Sequence, residues 1–154
     1  IGEGGLEKTV KKTEGDKTTP IGNWYLKTIY YRSDRVLRPK FKKRNVLKVN
    51  KITKNCAWCD DITSEKYNKY LKISDFQSIN FNYEKLWRED NAYDLIIITS
   101  HNTKPIIKDK GSAIFIHCSF SDNRNTSGCV ALKKKDLLFR LKNLSSETYL
   151  NIST

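Results

Sequence analysis

The two residues of this chain best suited to covalent chemistry are His117 and Cys129, twelve positions apart. A thiol attacks a carbonyl as its thiolate, and an imidazole beside it is a common way to make one near neutral pH. Twelve residues are enough for a loop to turn back and set the ring next to the sulfur. Gly128, just before the cysteine, allows close backbone approach, and the amides of Gly128 and Cys129 are candidates to receive a developing oxyanion. Ser127 and Thr126 bring hydroxyls able to bond the loop or the base. Taken singly, a cysteine after a glycine reads as a small buried hydrophobe and a histidine at a strand end as structural. The pair, joined to a Gly-Cys turn, points to acyl transfer. His101, the other histidine, lies in a loop after its strand and is the weaker base.

These side chains need rigid elements to hold them. Residues 112–117 form an apolar run of strand length ending in His117, and 94–99 form another, so both read as central, buried strands. The loop 120–125 is polar. Residues 133–144 place Leu137, Leu138, Leu141 and Leu144 on one helical face, which predicts a helix capping the sheet. Residues 21–31, aromatic and β-branched with Pro20 at their start, predict one or two strands. Residues 46–52 alternate as a half-buried strand does, after a basic loop over 32–44. A short helix or loop is expected over 60–70, and 83–88 fit a helical turn or a strand equally. Residues 1–19 read as turns and an extended surface arm adding little core. With no repeat, linker or low-complexity tract, residues 1–154 make one domain, mainly β with a few helices.

Length and composition agree with a globular chain: 154 residues, 38% hydrophobic and 11% aromatic. Lysine and arginine outnumber aspartate and glutamate by 29 to 17, a net charge of +12 that predicts a polyanionic partner. The longest apolar run, 95–98, is far short of the roughly 20 residues of a membrane span. The chain starts at Ile1, so a leader removed and a leader never present are both open. Four cysteines, at 56, 59, 118 and 129, allow three pairings if all are oxidised, and free thiols are as well supported. Cys56 and Cys59 have the spacing of a zinc half-site or redox pair, but no second pair of ligands is suitably spaced, so no metal is assigned.

The run Lys110-Gly111-Ser112-Ala113-Ile114-Phe115-Ile116-His117, then Thr126-Ser127-Gly128-Cys129-Val130-Ala131-Leu132, then Asp136-Leu137-Leu138, resembles the L,D-transpeptidase (YkuD-type) catalytic domain, in its shorter branch. Similar segments recur upstream: Glu14 to Gly22, Tyr31 to Arg35, Trp58-Cys59-Asp60-Asp61, Tyr67-Asn68 and Leu86-Trp87-Arg88. Many relatives carry a histidine where this chain has Ser127, which marks the subclass, and Lys110 and His101 also depart from the usual pattern.

The resemblance implies a YkuD-like β-sandwich with the C-terminal helix on the sheet. It implies Cys129 as nucleophile, His117 as base, and Gly128 and Ser127 beside them. Thr126, Ser112, Gly111, Asn102, Trp58 and Asp60 fall in its motifs as substrate-side residues, Trp58 and Asp60 packing beside the cleft. Arg124 and Arg35 are candidates to hold a substrate carboxylate. The implied substrates are anionic peptidoglycan stem peptides, handled through a thioester by a monomer in the periplasm or cell envelope. Thiol acyl transfer needs no cofactor. Two other readings stand beside it: hydrolysis or transfer to another acceptor on the same fold, and a basic nucleic-acid or polyanion-binding module using the clusters at 40–44 and 133–135.

Overall fold

The computed structural model describes residues 1–42 and 47–154. Among these the strands are β1 (Leu6–Lys8), β2 (Thr19–Tyr31), β3 (Lys48–Lys51), β4 (Cys56–Cys59), β5 (Tyr70–Lys72), β6 (Tyr83–Lys85), β7 (Leu95–Thr99), β8 (Phe115–Cys118), β9 (Val130–Leu132) and β10 (Tyr149–Ile152). One α-helix, α1 (Lys134–Leu141), lies between β9 and β10. The fold is mainly β, as the sequence predicts. Among the described residues no helix is long and apolar enough to cross a membrane.

The larger sheet runs β1-β2-β7-β8-β9, with β3 and β10 also on β2; the smaller runs β5-β4-β6. At thirteen residues, β2 is long enough to hold β1, then β10, then β3 and β7 along its length. The apolar run of β7 is buried at every position because both of its faces are covered. Leu95 and Ile97 face a core closed by Leu137 and Leu141 of α1, while Ile96 and Ile98 face a second core shared with Trp58 and Cys56 of the small sheet. Helix, large sheet and small sheet therefore form three layers. Alternation along β8 divides it in the same way: Ile116 and Cys118 point to the helix side, Phe115 and His117 to the other.

Several local expectations change. Residues 21–31 form one strand, with Pro20 inside it and a register shift between Leu26 and Thr28. Residues 60–70 turn without a helix, and Tyr83–Lys85 resolves to a strand. The expected strand over 46–52 keeps only Lys48–Lys51, and Val46 lies outside the described residues, as do Lys43 and Arg44 of the basic cluster. The helix is shorter than 133–144, with Leu138 and Leu144 packed on the core from its flank and exit. All four cysteines are free. Cys56 faces the core beneath the large sheet and Cys59 the outer side of the small sheet, so strand alternation keeps this pair apart.

The first 19 residues are mostly surface turns that add little core, as the sequence predicts, and within them only Gly2, Lys12 and Thr19 are buried. They are nonetheless tied to the domain: β1 pairs in parallel with β2, and Gly2 bridges to Thr126 beside the Gly-Cys turn. Lys12 is 2% exposed and ion-paired with Asp16. Polar backbone with turn residues reads as surface, yet here it is tied down by hydrogen bonds that hydropathy patterning does not register.

Candidate active site

The site is built where β8 meets β9. Their parallel register sets Ile116 opposite Val130 and His117 opposite Ala131. One step back, that register carries Phe115 to Cys129, and the Phe115 amide donates to the Cys129 sulfur at 3.3 Å. His117 is two residues beyond Phe115 on the same face, a spacing of roughly 6.6 Å along a strand. The ring and the thiol both border one cleft of about 670 Å³. That volume suits a peptide-sized ligand.

The thiol is held on two sides. It accepts from the Phe115 amide and donates to the Ala113 carbonyl at 3.0 Å. Ala113 aims that carbonyl from a left-handed conformation, φ +52°, which few residues with a Cβ adopt. Asn68 keeps it there: its Oδ1 accepts from the Ala113 amide at 3.1 Å and from the Trp58 indole at 2.9 Å, and its Nδ2 donates to the Asn102 carbonyl at 2.7 Å. The Gly-Cys turn is fixed by Thr126, whose hydroxyl donates to the Cys129 carbonyl at 2.7 Å and accepts from the Gly128 amide at 3.2 Å. Gly128 sits at φ +128°, and a Cβ there would lie 2.8 Å from the Thr18 carbonyl, so the position demands glycine.

His117 Nδ1 lies 2.8 Å from the Cys118 carbonyl. A carbonyl only accepts, so in the neutral ring Nδ1 carries the proton and Nε2 keeps its lone pair. Tyr93 and Phe120 meet the ring edge-on, at centroid distances of 5.3 and 5.7 Å. Burial pushes the His117 pKa down and the Cys129 thiol up to about 12. The resting pair is therefore thiol and neutral imidazole. Burial thus works against the thiolate that the sequence reading expects near neutral pH, and outweighs the Phe115 amide's help to the anion.

The family model of the YkuD L,D-transpeptidase catalytic domain matches residues 1–149. The chain belongs to this family. No curated protein and no solved structure matches it. Enzymes of the family are generally peptidoglycan-modifying transferases of the cell envelope.

Around the cleft of this YkuD-family domain, the sequence-predicted residues fall into two groups. Cys129, His117, Ser127, Thr126, Arg124, Ser112 and Asp60 line it. Ser127 is exposed at its mouth, and the Thr126 hydroxyl is taken up within the turn. Arg124 pairs with Asp122 at 2.9 Å and lies 4.0 Å over the Phe120 ring. Gly128 lies behind the sulfur, and its amide, engaged by Thr126, is not free for an oxyanion.

The others are scaffold. Trp58 is buried against Phe115 at 5.0 Å. The Asn102 side chain braces its loop by donating to the Ile107 and Gly111 carbonyls, and Gly111, at φ +82°, packs against Lys12 and His101. Arg35 leaves the cleft altogether: it pairs with Glu89 at 2.8 Å and Asp94 at 3.2 Å, in a network that Lys134 completes. Its role as a substrate clamp is withdrawn, since Glu89 and Asp94, from the segment leading into β7, already hold it.

Sequence reasoning missed Tyr93, Asn68 and the cleft carboxylates Glu3, Glu14 and Glu84. Asn68 and Glu14 carried a signal only as members of the family-like segments Tyr67-Asn68 and Glu14 to Gly22. The carboxylates lie far apart in the chain and meet only after the small sheet and the N-terminal loops have folded.

Proposed function

We propose that this domain is a cysteine-dependent L,D-transpeptidase acting on peptidoglycan stem peptides through a thioester. The observation that carries the reading is one cleft bordered by both the Cys129 thiol and the His117 ring, with Nε2 of that ring left as acceptor. Cys129 Sγ attacks the carbonyl carbon between a third-position diamino acid and a terminal D-alanine, and His117 Nε2 takes the thiol proton as the S–C bond forms. Since thiol and imidazole are both neutral at rest, proton transfer accompanies attack. The tetrahedral intermediate collapses as the C–N bond breaks, and the imidazolium returns its proton to the departing amine of D-alanine. An acceptor amine then attacks the thioester, giving up a proton to His117, and the sulfur leaves and regains it. With water as acceptor the same steps make a carboxypeptidase.

The exterior supports an anionic matrix as surroundings: the chain carries +12 overall. The reading places the domain in the periplasm or at the cell envelope. Intact-mass spectrometry after incubation with a tetrapeptide stem or a carbapenem tests it. A covalent adduct on Cys129 that disappears in Cys129→Ala is expected; no adduct with either reagent on folded protein sinks the reading. Product analysis with a second stem present separates cross-linking from hydrolysis.

A further inference from the structure

The cleft departs in charge from the molecule around it. Four carboxylates border it, from Glu3, Glu14, Asp60 and Glu84, against two guanidinium groups, from Arg88 and Arg124. Both guanidinium groups already have acidic partners: Arg88 pairs with Glu84 and Asp90, and Arg124 with Asp122 and Asp90. Among the described residues neither Asp60 nor Glu14 has a Lys, Arg or His within 4.0 Å; the hydrogen bond that Glu14 accepts at 2.6 Å comes from the neutral Tyr67 hydroxyl. Glu3 pairs in turn with Lys17 at 3.0 Å and Glu84 with Arg88 at 3.1 Å, so a protein with twelve excess positive charges leaves two carboxylates on its cleft wall, Asp60 and Glu14, without a cationic partner.

Two polar atoms on that wall lack partners. Asp60 Oδ1 is buried without a hydrogen bond, and so is the hydroxyl of Ser112, a residue only 7% exposed. A buried hydroxyl and a buried carboxylate oxygen without partners are costly unless something brings donors to them. Among the described residues no three or more His, Cys, Asp or Glu converge as metal ligands do. A ligand group that brings both N–H donors and positive charge to this wall would satisfy the carboxylate and the hydroxyl together. An alkylammonium fits, with three donors and one positive charge.

Building on the acyl-transfer reading above, we propose that Asp60 and Ser112, within the field of Glu14 and Glu84, form a cation subsite that seats a free ammonium group of the peptide that acylates Cys129. Asp60 is the counter-charge and Ser112 an acceptor that fixes direction; both select the donor peptide and neither takes part in bond making. Burial, with Glu14 and Asp61 nearby, raises the Asp60 pKa in the empty cleft. A bound cation favours the ionised carboxylate and so brings that pKa back down.

The test uses the Cys129→Ala protein, which binds without reacting, and two tetrapeptide stems identical except that the third-position side chain ends in a free amine or in its N-acetyl form. Titration calorimetry should give at least about tenfold tighter binding of the free amine at pH 7, a preference that shrinks at pH 5. Asp60→Asn should reduce the ratio to within about twofold, and Ser112→Ala should lower it by a smaller factor. Equal affinities for the two peptides, binding of neither, or a preference untouched by Asp60→Asn in folded protein overturns the subsite. Acylation of the Cys129-containing protein is read separately by mass, so a chain that prefers the amine but forms no adduct would lose the transferase reading and keep the subsite.

Discussion

The surroundings of the two histidines are alike in their parts and opposite in use. Each ring is nearly fully buried, each has one nitrogen 2.8 or 2.9 Å from a backbone carbonyl, and each meets an aromatic ring edge-on, His117 with Tyr93 and His101 with Trp24. Burial pushes both pKa values down. The difference lies at the second nitrogen. His117 borders the cleft that holds Cys129, whereas His101 Nδ1 is buried without a partner in a region that also holds Lys12 and Gly111. A perturbed, buried imidazole is thus no marker of catalysis by itself; access to a nucleophile is.

The comparison is broken most directly by removing each ring. His117→Ala should slow Cys129 acylation by roughly a thousandfold, the middle of the range for loss of a general base. His101→Ala should leave the acylation rate of folded protein within about threefold while lowering the melting temperature, since it empties a buried site at a cost of about 1–3 kcal/mol. Stopped-time mass spectrometry and thermal melts measure both. A thousandfold loss in folded His101→Ala would reverse the assignment.

The glycines of the two regions sharpen it further. Both have positive φ, but a Cβ at Gly128 would meet the Thr18 backbone carbonyl at 2.8 Å, whereas one at Gly111 would meet a side-chain atom, Lys12 Cε, at 2.9 Å. A backbone carbonyl leading directly into β2 cannot step aside as the end of a side chain can. Gly128→Ala should therefore cost about 3 kcal/mol or more and displace the sulfur, and Gly111→Ala about 1–2 kcal/mol with acylation kept. Denaturant melts of the two variants give the order.

What could be read from the chain follows the same division. Strands β7 and β8, the Gly-Cys turn and the leucine face of α1 were legible because each is local: an apolar run, a glycine before a cysteine, a helical period. The anchoring of the N-terminal segment was not, because it rests on polar contacts that hydropathy does not register: Gly2 meets Thr19 and, far along the chain, Thr126, and Lys12 is buried by its pairing with Asp16. Arg35 misled for the opposite reason: a free positive charge in the sequence became an internally paired one once Asp94 and Glu89 folded against it.

Asn68 shows the limit most clearly, since the family-like Tyr67-Asn68 segment does not say that this side chain holds the Ala113 amide behind the thiol. Asn68→Ala should strand that buried amide, cost about 1–3 kcal/mol, and slow acylation by roughly tenfold through a misplaced Ala113 carbonyl. Asn68→Asp, which keeps the acceptor, should recover more of the rate than of the stability, because the lost Nδ2 donor serves only the Asn102 carbonyl. Equal recovery of both would separate Asn68 from the thiol.

The smallest expected effect is in pH. Because both folded imidazoles have pKa values below the ordinary 6.5, the unfolded chain takes up their protons first, and stability falls as pH drops below about 6.5 toward the folded values. The two buried thiols act at the other end: Cys118, pushed up to about 11, and Cys129, up to about 12, stay protonated while unfolded thiols ionise, so stability falls again above about pH 9. Asp60 and Glu84, with raised pKa values, oppose the histidines on the acid side, since the folded state takes up their protons first. Subtracting His101→Ala from wild type cancels those carboxylates and leaves the His101 share alone. The melting temperature of wild type should therefore drop more steeply between pH 6.5 and 5 than that of His101→Ala. Parallel curves would mean that His101 is not held neutral by burial, and the likeness between the two rings would end at their geometry.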